Sequence, residues 1–166
     1  LFDSFDLDVK IELLNNGHAP VVNERHFHFD EELFRLCPDH VNLQGYFQTE
    51  KYFKHIEDEI RKDFTFNSEI LEPCKEMVES VDNPIALHVR RTDYVRNQAN
   101  HNLLSLDYYK AALEQFDSDR NVIVFSDEPA WCMEQEIFSD DRFIISENED
   151  NRIDLCLMSL CNDFII

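Results

Sequence analysis

Apolar residues along this chain recur with two different rhythms, and the change between them falls at Pro84. Residues 1–48 are irregular, with short apolar stretches broken by Asn15-Asn16-Gly17, Pro20 and Pro38, and with one short strand expected at 41–46. From Thr49, a residue suited to an N-cap, the pattern becomes helical: Phe53, Ile56, Ile60 and Phe64 recur at spacings of three and four. A second helix is expected from Ser68, with Ile70, Cys74, Met77, Val78 and Val81 as its apolar stripe. Asp82-Asn83-Pro84 stops it.

Beyond Pro84 the apolar runs shorten and become nearly continuous, as in strands covered on both faces. Ile85-Ala86-Leu87-His88-Val89, Asn121–Phe125 and Phe143-Ile144-Ile145 are three such runs, and Phe164 opens a fourth. Between them lie helical patterns: one capped by Ser105 that buries Leu106, Tyr109, Leu113 and Phe116, one from Pro129 to about Phe138, and one over 152–161. Strand–helix alternation of this kind specifies an α/β fold with a parallel, Rossmann-like sheet and right-handed crossovers. The expected domains are therefore 1–83, part of an N-terminal domain with bridging helices, and 84–166, a Rossmann-like domain. The first residue is Leu and the last three read as a strand beginning, so both ends are expected to be cut.

Composition narrows the partners. The 166 residues carry a net charge of −20, which repels nucleic-acid phosphates and anionic lipid heads, so no nucleic-acid partner is expected. With 43% hydrophobic residues the chain is too apolar for a disordered acidic tail. No run approaches the ~18 apolar residues of a membrane span. Five cysteines without a CxxC pair suit buried reduced thiols better than a disulfide scaffold or a zinc site. His26 and His28 could share one face of a strand, but no third metal ligand lies nearby in sequence.

Ligands of open α/β sheets bind beyond the carboxyl ends of the strands. That rule selects three clusters: Arg90 to Tyr94, Ser126-Asp127-Glu128, and Ser146 to Asp150. The only two glycines, Gly17 and Gly45, follow none of these strands, so no Gly-rich phosphate cradle exists and side chains must hold an anion. Arginine suits that task because its planar fork matches a pair of phosphate oxygens. Strand alternation places His88 and Arg90 on one side and Arg91 on the other. Arg90 is then the candidate for the crevice, and Arg91 the candidate for pairing with a carboxylate such as Asp93. Both arginines could equally serve only to neutralise nearby acids. Asp127 and Glu128 could accept from guanine and Ser126 could bond a phosphate or ribose, but helix capping accounts for Ser126-Asp127-Glu128-Pro129 as well. The Ser146–Asp150 cluster reads as a solvated acidic loop.

His88-Val89-Arg90-Arg91-Thr92-Asp93-Tyr94 resembles the HxRRxD motif of α1,2-, α1,6- and protein O-fucosyltransferases, and the following Tyr-Val is similar to the α1,2 group, glycosyltransferase family 11. Gly45–Phe53 resembles that family's GYxQSEKYF segment and Ser105–Tyr109 its SLxYY helix start. Val124–Cys132 resembles FSDDxxWC, with Glu128 in place of the second Asp, and Asp154–Cys161 resembles DLxLMSxC.

The resemblance implies a GT-B-like fold and an inverting transfer of L-fucose from GDP-β-L-fucose to a galactose-terminated glycan, with no metal cofactor. It implies that Arg90 binds the diphosphate and stabilises the leaving group. Asp93 joins Arg90 as a catalytic candidate, and His88, Arg90, Arg91, Ser126, Asp127 and Glu128 form the nucleotide-binding set. The general base is open between Asp93 and His101. The family has cytoplasmic bacterial and Golgi-anchored animal members; the expected location is cytoplasmic, with peripheral membrane association or a Golgi anchor as the alternatives. Two other functions compete: a non-catalytic nucleotide-sugar-binding domain derived from a transferase, and a different phosphate-handling Rossmann-like enzyme.

Overall fold

The computed structural model describes residues 2–7 and 19–166, so the expected Asn15-Asn16-Gly17 break lies outside the described residues. Packing divides the chain into two compact units between Thr65 and Phe66. The sequence boundary was expected near 80–84, but the helix 68–79 packs with the sheet-bearing unit.

The N-terminal unit carries a two-stranded parallel sheet of β1 (Val21–Asn23) and β2 (Asn42–Gln44), registered Val21 to Asn42 and Asn23 to Gln44. Between them runs α1 (Glu31–Leu36). Its N-cap is the buried Asp30, whose Oδ1 accepts from Leu33 N at 3.0 Å. Arg25 chelates the same carboxylate at 2.7 and 2.6 Å and holds its pKa well below the usual carboxylate range. Tyr52 centres an aromatic cluster with Phe29, Phe34 and Phe47 at ring separations of 4.9, 6.3 and 5.3 Å. The single helix expected over 49–64 is instead two 3-10 turns followed by α2 (Glu57–Asp63). Phe53 (φ −133°, ψ 1°) and Ile56 (φ −122°, ψ 32°) leave the helical region and break it. Thr49 keeps its capping role, accepting from Lys51 N at 3.4 Å.

The second unit begins with α3 (Ser68–Glu79), capped by Asn67, which buries Ile70 and Cys74 but leaves Met77 of the expected stripe exposed. Asn83, at φ 48°, then turns the chain toward Pro84 and β3 (Ile85–Val89). There follow α4 (Thr92–Arg96), α5 (Leu106–Leu113), β4 (Val122–Ser126), α6 (Pro129–Met133), β5 (Phe143–Ile145), α7 (Asn151–Leu160) and β6 (Asp163–Ile165). The four strands lie in the order β5-β4-β3-β6, all parallel. This is the expected α/β arrangement: a four-stranded parallel sheet flanked by helices. The helix expected to run to Phe138 stops at Met133, and a 3-10 turn at Glu136–Phe138 carries Phe138 into the core.

Alternation divides the sheet between two layers. Ile85, Leu87, Val89, Val122, Val124 and Ile165 pack with Tyr109 and Leu113 of α5, Cys132 of α6 and Phe138. His88 and Phe125, of the opposite alternation, line a cavity with residues of α7, and α7 in turn packs on α3. Cys74, Cys132, Cys156 and Cys161 are buried free thiols. Burial pushes Cys156 up to about 12 and Cys161 up to about 11, which leaves them unreactive at neutral pH. Cys37 departs from the expectation: it caps the end of α1 and is exposed. Among the described residues no helix is long and apolar enough to cross a membrane.

Leu87 is fully buried in β3 whereas Met77 is exposed on α3. Urea denaturation followed through the only tryptophan, Trp131, should therefore show Leu87→Ala losing ~2–5 kcal/mol. Met77→Ala should stay within about 0.5 kcal/mol of the parent. Equal losses would contradict the assigned core.

Candidate functional site

In the order β5-β4-β3-β6 the chain moves outward from β3 through β4 to β5, and α7 then brings it back to place β6 on the other side of β3. The reversal of direction falls beside β3, and such switch points are where crevices open at the carboxyl edge of a sheet. Arg90 stands at that edge, immediately after β3. The register Val89 to Ser126 sets Asp127 next to it.

Asp127 laces the two strand ends together. Its Oδ1 accepts from Arg91 N at 2.9 Å, and its Oδ2 accepts from the Thr92 hydroxyl. Ser126 adds a second tie, donating from Oγ to Val89 O at 2.8 Å and accepting from Glu128 N at 3.0 Å. Arg91 turns toward α6: Nε donates to Glu128 Oε2 at 2.8 Å, and the guanidinium lies 3.7 Å over the Trp131 ring. Arg91 was expected to pair with a carboxylate such as Asp93. It pairs with Glu128 instead, because α4 starts at Thr92 and turns Asp93 back under Arg90, whose Nε reaches Asp93 Oδ1 at 2.9 Å.

Arg90 is 45% exposed and its Nη1 also stands 3.4 Å from Asp127 Oδ2. Asp93, first, and Asp127 raise its pKa, while Arg90 lowers that of Asp93. With His88, Phe125, Ser126 and Asp127 it walls a cavity of about 350 Å³. The facing wall comes from α7, with Asn151, Arg152, Asp154, Leu155 and Met158. Burial pushes the His88 pKa down, with the Asp127 charge opposing. Arg152 is bound to Asp150, at distances down to 2.6 Å, and holds that carboxyl at about 2. Asp154 is fixed through Oδ1, which accepts from Ser146 Oγ at 2.6 Å and Asn148 Nδ2 at 2.9 Å.

Of the sequence-selected residues, His88, Arg90, Ser126 and Asp127 thus come together on one cavity. Arg91 and Glu128 are not among its lining residues; they brace it from the α6 side. Asp93 reaches it only through Arg90, and His101 stacks on Tyr94 with ring centres 4.6 Å apart. Sequence reasoning missed Arg152 and Asp154. The available signal was topological: a helix that leads from β5 back to β6 lays its first turns over the crevice. Among the described residues no group of three or more His, Cys, Asp and Glu is arranged to hold a metal ion, and His26 and His28 stack ring on ring at 4.6 Å.

Residues 10–166 match glycosyl transferase family 11, and the chain belongs to that family. Its relatives include the O-antigen biosynthesis glycosyltransferase WbnK of Escherichia coli, 31% identical over 75% of this chain and 46% of that protein. An alpha-1,2-colitosyltransferase of Escherichia coli is 32% identical over 76% of this chain and 47% of its own length. The galactoside 2-alpha-L-fucosyltransferase SEC1 of Bos taurus is 25% identical over 95% of this chain and 48% of its own length. The chain therefore spans about half the length of these relatives. No solved structure matches it.

Replacing Asp127 by Ala removes the acceptor for two donors at once and should destabilise the sheet unit by ~1–3 kcal/mol in urea denaturation read at Trp131. An unchanged midpoint would contradict the lacing role. His88 gives a pH test. Its folded pKa lies below the unfolded value, so the unfolded chain takes up the proton first as pH falls. Its contribution is complete above an unfolded pKa of about 6.5 and is lost on acidification through that value toward the folded pKa. Thermal melts at about pH 7.5 and pH 5.5 should show a larger acid-side loss for the parent than for His88→Gln; parallel losses would contradict a half-buried imidazole with a lowered pKa.

Proposed function

We propose that this chain carries the sugar-nucleotide site of an inverting glycosyltransferase of GT-B arrangement. That enzyme transfers L-fucose from GDP-β-L-fucose to a galactose-terminated glycan and forms an α1,2 linkage. Family membership supports the donor and acceptor classes. The single observation that carries the site is Arg90, half exposed on the cavity at the switch point while Arg91 is committed elsewhere.

Departure of GDP builds negative charge on a phosphate oxygen, and a guanidinium already in place stabilises that charge without reorganising. Arg90 has two N–H edges for this purpose. Asp93 holds Nε and so aims the fork, while the Nη edge stands only 3.4 Å from Asp127 and exchanges that loose contact for phosphate oxygens. The lowered pKa of Asp93 suits a permanent counter-ion better than an acceptor of the glycan's hydroxyl proton. The amino-terminal end of α7, a ten-residue helix facing the cavity, adds a positive dipole end where the diphosphate would lie.

For the base, Asp154 has the better geometry. Both oxygens of Asp127 are engaged with Arg91 and Thr92, and Glu128 with Arg91. Asp154 is held through Oδ1 by Ser146 and Asn148, which leaves Oδ2 to accept from an N–H of guanine. His88, whose pKa is pushed down by partial burial, offers guanine a second hydrogen-bonding edge. Ser126, Asp127, Arg91 and Glu128 serve the nucleotide by fixing the wall. The relative named as an alpha-1,2-colitosyltransferase makes a colitosyl donor the competing one.

The test uses the full-length parent. Arg90→Ala should lower kcat/KM for GDP-fucose by ~10²–10³ with an unchanged melting temperature. Normal turnover by that variant would defeat the assignment. Saturable GDP binding by the parent without transfer to any galactoside would support the non-catalytic alternative instead.

A further inference from the structure

The N-terminal unit holds a second concavity, of about 280 Å³, at the carboxyl ends of β1 and β2. Two large aromatic side chains stand open beside it: Phe27 is 71% and Tyr46 73% exposed, with ring centres 5.5 Å apart. Two rings beside a concavity that also carries polar side chains give it the mixed lining of a small-ligand site.

The loop that presents Tyr46 is built to hold its shape. Glu24 Oε2 accepts from both Tyr46 N and Phe47 N at 2.9 Å, and Phe47 takes a left-handed φ of 48°. A Cβ at position 45 would stand 2.4 Å from Glu24 Cβ, so the close approach of Glu24 requires Gly45. The strand register sets Asn23 opposite Gln44 on the same concavity, two amides each able to donate and accept. The nearby cation, Arg25, is committed to Asp30 at 2.6 Å and Glu32 at 2.7 Å.

We propose that this concavity is a saccharide platform that takes one galactopyranose ring of the acceptor glycan; the proposal rests on the glycosyl-transfer reading above. A galactopyranoside has an apolar face, because its axial 4-hydroxyl leaves the C3, C4 and C5 hydrogens together on the other side. That face stacks on Phe27 and Tyr46, and the hydroxyl rim meets the Asn23 and Gln44 amides. An anionic ligand is disfavoured by the carboxylate of Glu24 and by the prior pairing of Arg25.

The experiment is a titration of the full-length protein with methyl β-D-galactopyranoside, read by saturation-transfer NMR, alongside calorimetric titration with GDP. The Phe27→Ala/Tyr46→Ala double variant should weaken galactoside binding by about tenfold or more and leave GDP binding unchanged, while Tyr46→Phe retains the galactoside. Unchanged galactoside affinity in the double variant overturns the platform and leaves the nucleotide site standing. Absence of GDP binding together with ring-dependent galactoside binding overturns the transferase reading alone. Concentration-dependent dimerisation lost in the double variant, with no galactoside contact, assigns the rings to a protein interface and overturns the proposal.

Discussion

One carboxylate fixes the carboxyl edge of the sheet. Asp127, at the end of β4, accepts from the backbone of Arg91 and the hydroxyl of Thr92, and so determines where the chain leaves β3. A backbone N–H and a hydroxyl bonded to one partly buried carboxylate are costly to separate, because breaking the contact leaves unsatisfied donors. The exit of β3 is therefore rigid at the point where two successive arginines must go to different places.

The two arginines owe their different roles to that exit. Arg91, on one side of the alternation, meets Glu128 and stacks on Trp131, a bidirectional clamp of ion pair and ring face. Arg90, on the other side, emerges half exposed on the cavity, its Nε on the exposed carboxylate of Asp93 and its Nη1 at a looser 3.4 Å from the more buried Asp127. Surface ion pairs of this kind contribute little to stability, so a diphosphate can compete for the guanidinium at small cost. On the proposed reading, a chain with a net charge of −20 thus keeps a cation where the diphosphate would lie.

The sheet was legible in the sequence because its strands are buried on both faces: Ile85–Val89, the 121–125 run and Phe143–Ile145 read as continuous apolar runs, and the alternation at His88 and Arg90 placed both on the cavity. Less was legible where packing outweighs local pattern. β1 has three residues after Pro20 and is stabilised by pairing with β2, a partner 21 positions away by register, so no local signal marked it. The stripe of Phe53, Ile56 and Phe64 has helical spacing, yet those side chains are exposed and the backbone breaks at Phe53 and Ile56. The partner of Arg91 lies 37 residues ahead, and the contribution of Asp154 depends on the return of α7 across the sheet. Both are consequences of topology and are absent from any local window.

The account turns on which arginine meets the diphosphate. A crystal structure of the full-length protein with GDP tests this most directly. It should show phosphate oxygens within hydrogen-bond distance of the Arg90 Nη edge, with Arg91 still on Trp131 and Glu128. A diphosphate bound away from the β3 tip, or an Arg90 still held only by Asp93 and Asp127 with the nucleotide in place, would contradict it.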